Sequence, residues 1–157
     1  MARIMVVEDD ADLRAVVARA LERAGHVVTS REDGARALED MEGGSRYDLI
    51  LTDLEMPGRT GLEVIRASKD RDSAVPVIAT SGKGRPVQVA LDIARRCGAD
   101  AVIAKPFKLS VLVSLVNRVL SGERPEDTES IEELEDGDVV VIMPPDLLGA
   151  KLRQSEG

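Results

Sequence analysis

Residues 49–61 read LILTDLEMPGRTG. Four residues suited to a buried strand run into Asp53, and a Met-Pro-Gly turn follows at once. A carboxylate at the tip of an apolar strand is costly to bury unless something pairs with it. Asp53 therefore either caps a turn or takes part in chemistry, and the segments around it decide which.

Working outward, two periods alternate. RIMVV, HVVTS, YDLILTD, VPVIATS and DAVIAK are short apolar runs that read as strands. Between and after them lie stretches with helical spacing. The first carries Leu13, Val16, Val17, Ala20, Leu21 and Ala24 and stops at Gly25. The next three are GARALEDM, GLEVIRASK and PVQVALDIARRC, the last with Pro86 in its first turn. The final one carries Leu109, Leu112, Val113, Val116, Val119 and Leu120 and ends at Gly122. Five strand–helix pairs in strict alternation imply an α/β fold, with a parallel sheet and helices on both faces. Near-continuous apolar strands fit burial on both sides. Ligands of such sheets bind at the carboxyl ends of the strands. Glu8, Asp9, Asp53, Ser81 and Lys105 all fall there.

Composition narrows the function. Aromatics make up 1% of the chain, so its core is aliphatic. One cysteine, Cys97, and one histidine, His26, make neither an internal disulfide nor a zinc site, and they fit structural roles in a reducing, cytoplasmic compartment. The opening MARIMVVEDD is too short in apolar residues for a signal peptide, and no stretch approaches a membrane span. From Ser121 onward there are eleven acids and three bases, whereas residues 1–120 hold 18 of each. The net charge of −8 thus belongs to the tail. A neutral body with an acidic tail lacks the basic patch of a nucleic-acid binder. We expect one domain over 1–121 and an acidic extension over 122–157. In the extension, ERPEDTESIEELEDGD reads as a solvated linker and 138–143 as a candidate strand. VVVIM is too apolar to stay idle in water; it suits addition to a sheet edge, in its own chain or a partner.

The strand-end residues add up to a chemistry. Glu8, Asp9 and Asp53 form an oxygen-rich cluster suited to a hard cation such as Mg²⁺. A carboxylate can act as nucleophile toward phosphorus. Lys105 supplies a positive charge and Ser81 a hydroxyl for the oxygens of an arriving phosphoryl group. Thr80 competes with Ser81 for that role, and spacing from Pro76 favours Ser81. Asp10 adjoins the acidic pair but reads better as a helix cap. GKG at 82–84 lacks the rest of a phosphate-loop pattern.

VVEDD, LTDLEMPGRTG, PVIATSGKG and AKPF occur in the order and at the spacing of the receiver domain of two-component response regulators, and the chain resembles that family over residues 2–121. The resemblance implies a flavodoxin-like sheet of strand order 2-1-3-4-5. It implies Asp53 as phospho-acceptor, Glu8 and Asp9 as the acidic pair around Mg²⁺, and the backbone carbonyl of Glu55 as a further ligand. Ser81 would be the switch hydroxyl, Lys105 the ion pair to the phosphate, and Lys105–Pro106 a cis peptide. A sensor histidine kinase or phosphotransfer protein would be the donor. Output would pass through protein contact or phosphorelay rather than DNA, with a homodimer as one possible form.

Three departures stand out. Val102 occupies a position where the family often has an aromatic whose rotation reports phosphorylation. Glu55 and Lys83, two residues past Asp53 and Ser81, are placed to ion-pair across the site entrance. Only about 35 residues follow the last helix, too few for a winged-helix output module. Two other readings fit less well. A haloacid-dehalogenase-type phosphohydrolase needs a second Asp where this chain has Glu55, and a non-phosphorylated pseudo-receiver would not need the full residue set.

Overall fold

A computed structural model describes residues 1–55, 61–82, 96, 98–122, 130–133 and 139–142. The helix expected over 86–97, apart from Arg96, lies outside the described residues, as does Lys83. The elements are β1 (Arg3–Val7), α1 (Ala11–Arg23), β2 (Val27–Arg31), α2 (Gly34–Glu42), β3 (Leu49–Asp53), α3 (Gly61–Arg71), β4 (Val77–Ser81), β5 (Ala101–Ala104), α4 (Leu109–Leu120), β6 (Ser130–Glu133) and β7 (Val139–Ile142).

The first five strands run parallel in the order β2-β1-β3-β4-β5. This is the expected flavodoxin-like arrangement. β3 and β4 are buried at every position, as their unbroken apolar sequences require. β2, on the outside, is only half-buried. Two aliphatic layers sandwich the sheet. On one face Met5, Ile50 and Val77 pack with Ala37 and Met41 of α2 and Val64 and Ile65 of α3. On the other Ile4, Leu51 and Ile103 pack with Val17 and Leu21 of α1 and Leu112, Leu115 and Val116 of α4. Each such side chain stabilises the fold by about 1.5–3 kcal/mol through burial.

The ends of the helices follow their sequence. Asp10 caps α1, accepting from the amides of Asp12 and Leu13, which is the role its position suggests. Asp33 caps α2 through the amide of Arg36. Beyond α1, Gly25 takes a φ of 96°, a left-handed conformation that costs glycine little.

The sheet departs from a five-stranded reading at its β5 edge. β7 pairs antiparallel with β5, and β6 pairs antiparallel with β7, making seven strands. β5 is therefore not the open edge expected of the five-strand order. β6 falls within the stretch expected to be a solvated linker. Its sequence, Ser-Ile-Glu-Glu, lacks the apolar run that marks a buried strand. An outer strand needs only backbone pairing on one side, and charged residues suit it because they discourage further strand addition.

Candidate functional site

The carboxyl ends of β1, β3, β4 and β5 bring the site together. β3 delivers Asp53 as its last residue, 3% exposed. β1 delivers Glu8 just past its end, 5% exposed, with the exposed Asp9 beside it. Carboxylate oxygens of Glu8, Asp9 and Asp53 lie within 4.8 Å of one another. Lys105 follows β5 directly, across the cis Lys105–Pro106 peptide.

Lys105 holds the acids together. Its Nζ donates to Asp53 Oδ2 at 2.9 Å and to Glu8 Oε1 and Oε2 at 3.0 and 2.9 Å. Its own amide donates to the Ser81 carbonyl at 2.8 Å, fixing β5 to the end of β4. The Glu55 amide donates to Asp53 Oδ1 at 3.1 Å, so both carboxylate oxygens of Asp53 are engaged. Arg14 of α1 donates from Nη1 to the Glu8 carbonyl at 2.8 Å, bracing the acidic turn.

Burial dominates the electrostatics. It raises the Asp53 carboxyl above its usual 3.8, against the opposing Glu55 amide and Lys105. It raises Glu8 above 4.5, again opposed chiefly by Lys105. For Lys105, burial acts downward, but hydrogen bonds to Asp53 and Glu8 outweigh it and hold the ammonium above 10.5. Three carboxylates thus cluster where one ammonium bonds two of them, a surplus of negative charge. A divalent cation with oxygen preference fits this donor set, because it offsets that surplus at the exposed Asp9 side.

Two hydroxyls at the end of β4 complete the picture. Thr80 Oγ1 and Ser81 Oγ are both buried and have no hydrogen-bond partner among the described residues. Burying a hydroxyl without a partner costs about 1–3 kcal/mol. Thr80 stands directly opposite Asp53 in the ladder, with Ser81 one residue further toward the strand end. Both hydroxyls are therefore placed to accept an incoming partner.

Gly61 and Arg14 were not singled out from the sequence. A Cβ on Gly61, the first residue of α3, would collide with the backbone carbonyl of Asp53 and crowd Leu54 Cα. Only glycine lets α3 approach β3 this closely. The one available signal was its place at the end of LTDLEMPGRTG. The Glu55 carboxylate reaches over Gly82, toward the end of β4. Its expected partner Lys83 is outside the described residues.

Comparison with known proteins places this geometry. The response regulator receiver domain matches residues 4–117. The chain is 37% identical over 142 residues to the DNA-binding response regulator MtrA of Mycolicibacterium paratuberculosis, covering 90% of this chain and 60% of that protein. It is 35% identical over 136 residues to the transcriptional regulatory protein CseB of Streptomyces coelicolor, covering 82% of this chain and 56% of that protein. The chain therefore spans a little over half the length of these relatives. Among solved structures, the chemotaxis response regulator CheY4 of Vibrio cholerae superposes with a TM-score of 0.68 at 28% identity, over 76% of this chain and 98% of that one. NtrX of Brucella abortus gives 0.70 at 31% identity, over 77% of this chain and 27% of its own. With four strand ends converging on Asp53 and these matches over most of its length, the chain belongs to the response regulator receiver domain family, a signalling module of two-component systems.

Proposed function

We propose that Asp53 accepts a phosphoryl group from the phosphohistidine of a sensor histidine kinase or of a phosphotransfer protein. An Asp53 carboxylate oxygen attacks phosphorus, the P–N bond breaks, and the imidazole leaves with the electron pair. The observation that carries this reading is Lys105 Nζ, bonded at once to Asp53 and Glu8 where three carboxylates meet. Lys105 is then in reach of an oxygen of the transferred group, and Ser81 supplies the hydroxyl that turns toward it. Glu8, Asp9, Asp53 and the Glu55 backbone carbonyl would hold Mg²⁺, which supplies charge neutralisation for the transfer.

Phosphorylation would shift an existing equilibrium between two arrangements of the strand ends. Output would pass through protein contact or phosphorelay, in the cytoplasm. The balanced charge of residues 1–120 and the acidic tail support this over a nucleic-acid surface on these 157 residues.

The test is intact-mass measurement of the full chain with Mg²⁺ and a small acyl phosphate. One phosphoryl group should be gained by the wild type and none by Asp53→Asn. Beryllofluoride, as a phosphoryl mimic, should shift β5 amides in Thr80→Ala but not in Ser81→Ala. An Asp53→Asn chain that is modified as fully as wild type refutes the acceptor. A wild type that never gains the group would mean an interaction module that works unphosphorylated.

A further inference from the structure

The edge of β5 is a pairing surface, and this chain fills it. Ala101, Val102 and Ile103 stand opposite Ile142, Val141 and Val140 of β7, in antiparallel register. β5 reads Ala-Val-Ile-Ala, and an uncovered strand of that kind would be a template for any passing chain. Its cover is slight. β6 and β7 have four residues each. A two-stranded hairpin of this size is marginal alone, so its order depends on β5. Elements at the low end of local stability are the ones a small change elsewhere can release.

The ladder joins this hairpin to the acceptor. Asp53 stands opposite Thr80, Thr80 opposite Ile103, Ile103 opposite Val140, and Val140 opposite Glu132. One lateral row of the sheet thus runs from the acceptor to the outer strand. Lys105 follows the paired segment of β5 by two residues; its amide is tied to Ser81 and its ammonium to Asp53. Val102, 4% exposed and stiff at its first torsion, offers no large side chain to swing. Movement of the β5 backbone is a route outward that needs no side-chain rotation.

We propose that β6 and β7 are an intramolecular ligand of the β5 edge, docked while Asp53 is unmodified and released when a phosphoryl group draws in Lys105 and Ser81. This rests on Asp53 as the acceptor. Release would expose the β5 edge to an incoming strand of a partner, which is the output. By linkage, loosening the hairpin must tighten binding of the phosphoryl mimic by the same factor.

Amide hydrogen exchange on the full chain with Mg²⁺, with and without beryllofluoride, separates the claims. Amides of 139–142 and those β5 amides that face β7 should be protected in the unmodified chain and lose protection with the mimic, while β1, β3 and the β4-facing amides of β5 keep theirs. Fast exchange at 139–142 before any addition overturns docking, whatever Asp53 does. Lasting protection there, with amides of Asp53 and Ser81 shifting on addition, overturns the coupling and leaves the acceptor standing. No shift at Asp53 overturns both the coupling and the acceptor. Val140→Pro, which removes one amide from the ladder, should free the β7-facing amides of β5 without the mimic and bind beryllofluoride about fivefold tighter or more. Unchanged protection in that variant overturns docking, and unchanged affinity overturns the coupling. Protection that fades on dilution would mean the hairpin comes from a second copy, which overturns the intramolecular form.

Discussion

Two lysine–aspartate pairs sit at opposite ends of the same sheet, and they are built differently. At the amino ends of β4 and β5, Lys69 of α3 donates to Asp100 Oδ2 at 2.8 Å and to the Val75 carbonyl at 3.0 Å. The same Asp100 oxygen accepts the Val77 amide at 2.8 Å. Among the described residues one cation meets one anion, and backbone groups share both of them. At the carboxyl ends, Lys105 meets Asp53 and Glu8 with Asp9 alongside, and two buried hydroxyls have no partner among the described residues. The two lysines are equally exposed, at 19%, so burial of the cation does not distinguish the pairs. Balance does. A balanced pair suits a role in the fold, whereas a cluster with surplus acid and spare hydroxyls suits the cation and phosphoryl group proposed for it.

The largest effect should come from breaking the balanced pair. Lys69→Met leaves Asp100 without its cation and unties α3 from β4 and β5. It should cost about 2–3 kcal/mol in denaturant unfolding, below the 3–5 typical of fully buried pairs. Phosphoryl acceptance under native conditions should survive. Lys105→Met should do the reverse: lose the response and cost less stability than Lys69→Met. If Lys105→Met cost as much as Lys69→Met, the two pairs would be alike in kind.

A smaller effect tests the backbone beneath the surplus end. Gly61→Ala forces a methyl against the Asp53 carbonyl. We expect a loss of about 1–3 kcal/mol, the usual range for overpacking, together with altered amide shifts at Asp53 and Leu54. Wild-type stability with an undisturbed spectrum would show that α3 can back away without affecting the acceptor.

This contrast also explains what the sequence made legible. The strands of the parallel sheet could be read because burial on both faces demands unbroken apolar runs, and Asp53 stood out as a charge ending such a run. Asp10 could be read as a cap because a short acceptor before a helix has few other uses. The Lys69–Asp100 pair could not be read. A lysine in the last turn of a helix already has a reason to be there in the helix dipole, and its partner lies 31 residues away. β6 was missed for another reason: an outer strand is held by its backbone, so SIEE carries no periodic signal. Gly61 was hidden among turn residues because close approach is a property of the folded chain.

The smallest effect is the most diagnostic, because its sign differs between the two ends. Burial raises Asp53 above 3.8, so the folded chain binds that proton more tightly than the unfolded chain does. Ionised Asp53 therefore weakens the fold. The penalty is absent below pH 3.8 and grows to its full size as pH rises through the raised value. Glu8 follows the same course from 4.5. Lys105 runs the other way, its contribution fully present below pH 10.5 and lost as pH climbs through its raised value. Asp53→Asn should then stabilise the chain at neutral pH by about 0.5–2 kcal/mol, as relief of a strained functional position does. The gain should vanish in acid below pH 3.8. Asp100→Asn, at the balanced end, should destabilise at neutral pH. Thermal unfolding of both variants across pH decides it. A stability loss in Asp53→Asn at neutral pH, or a gain that persists in acid, would mean that Asp53 is held for the fold. The surplus acid would then be structural after all.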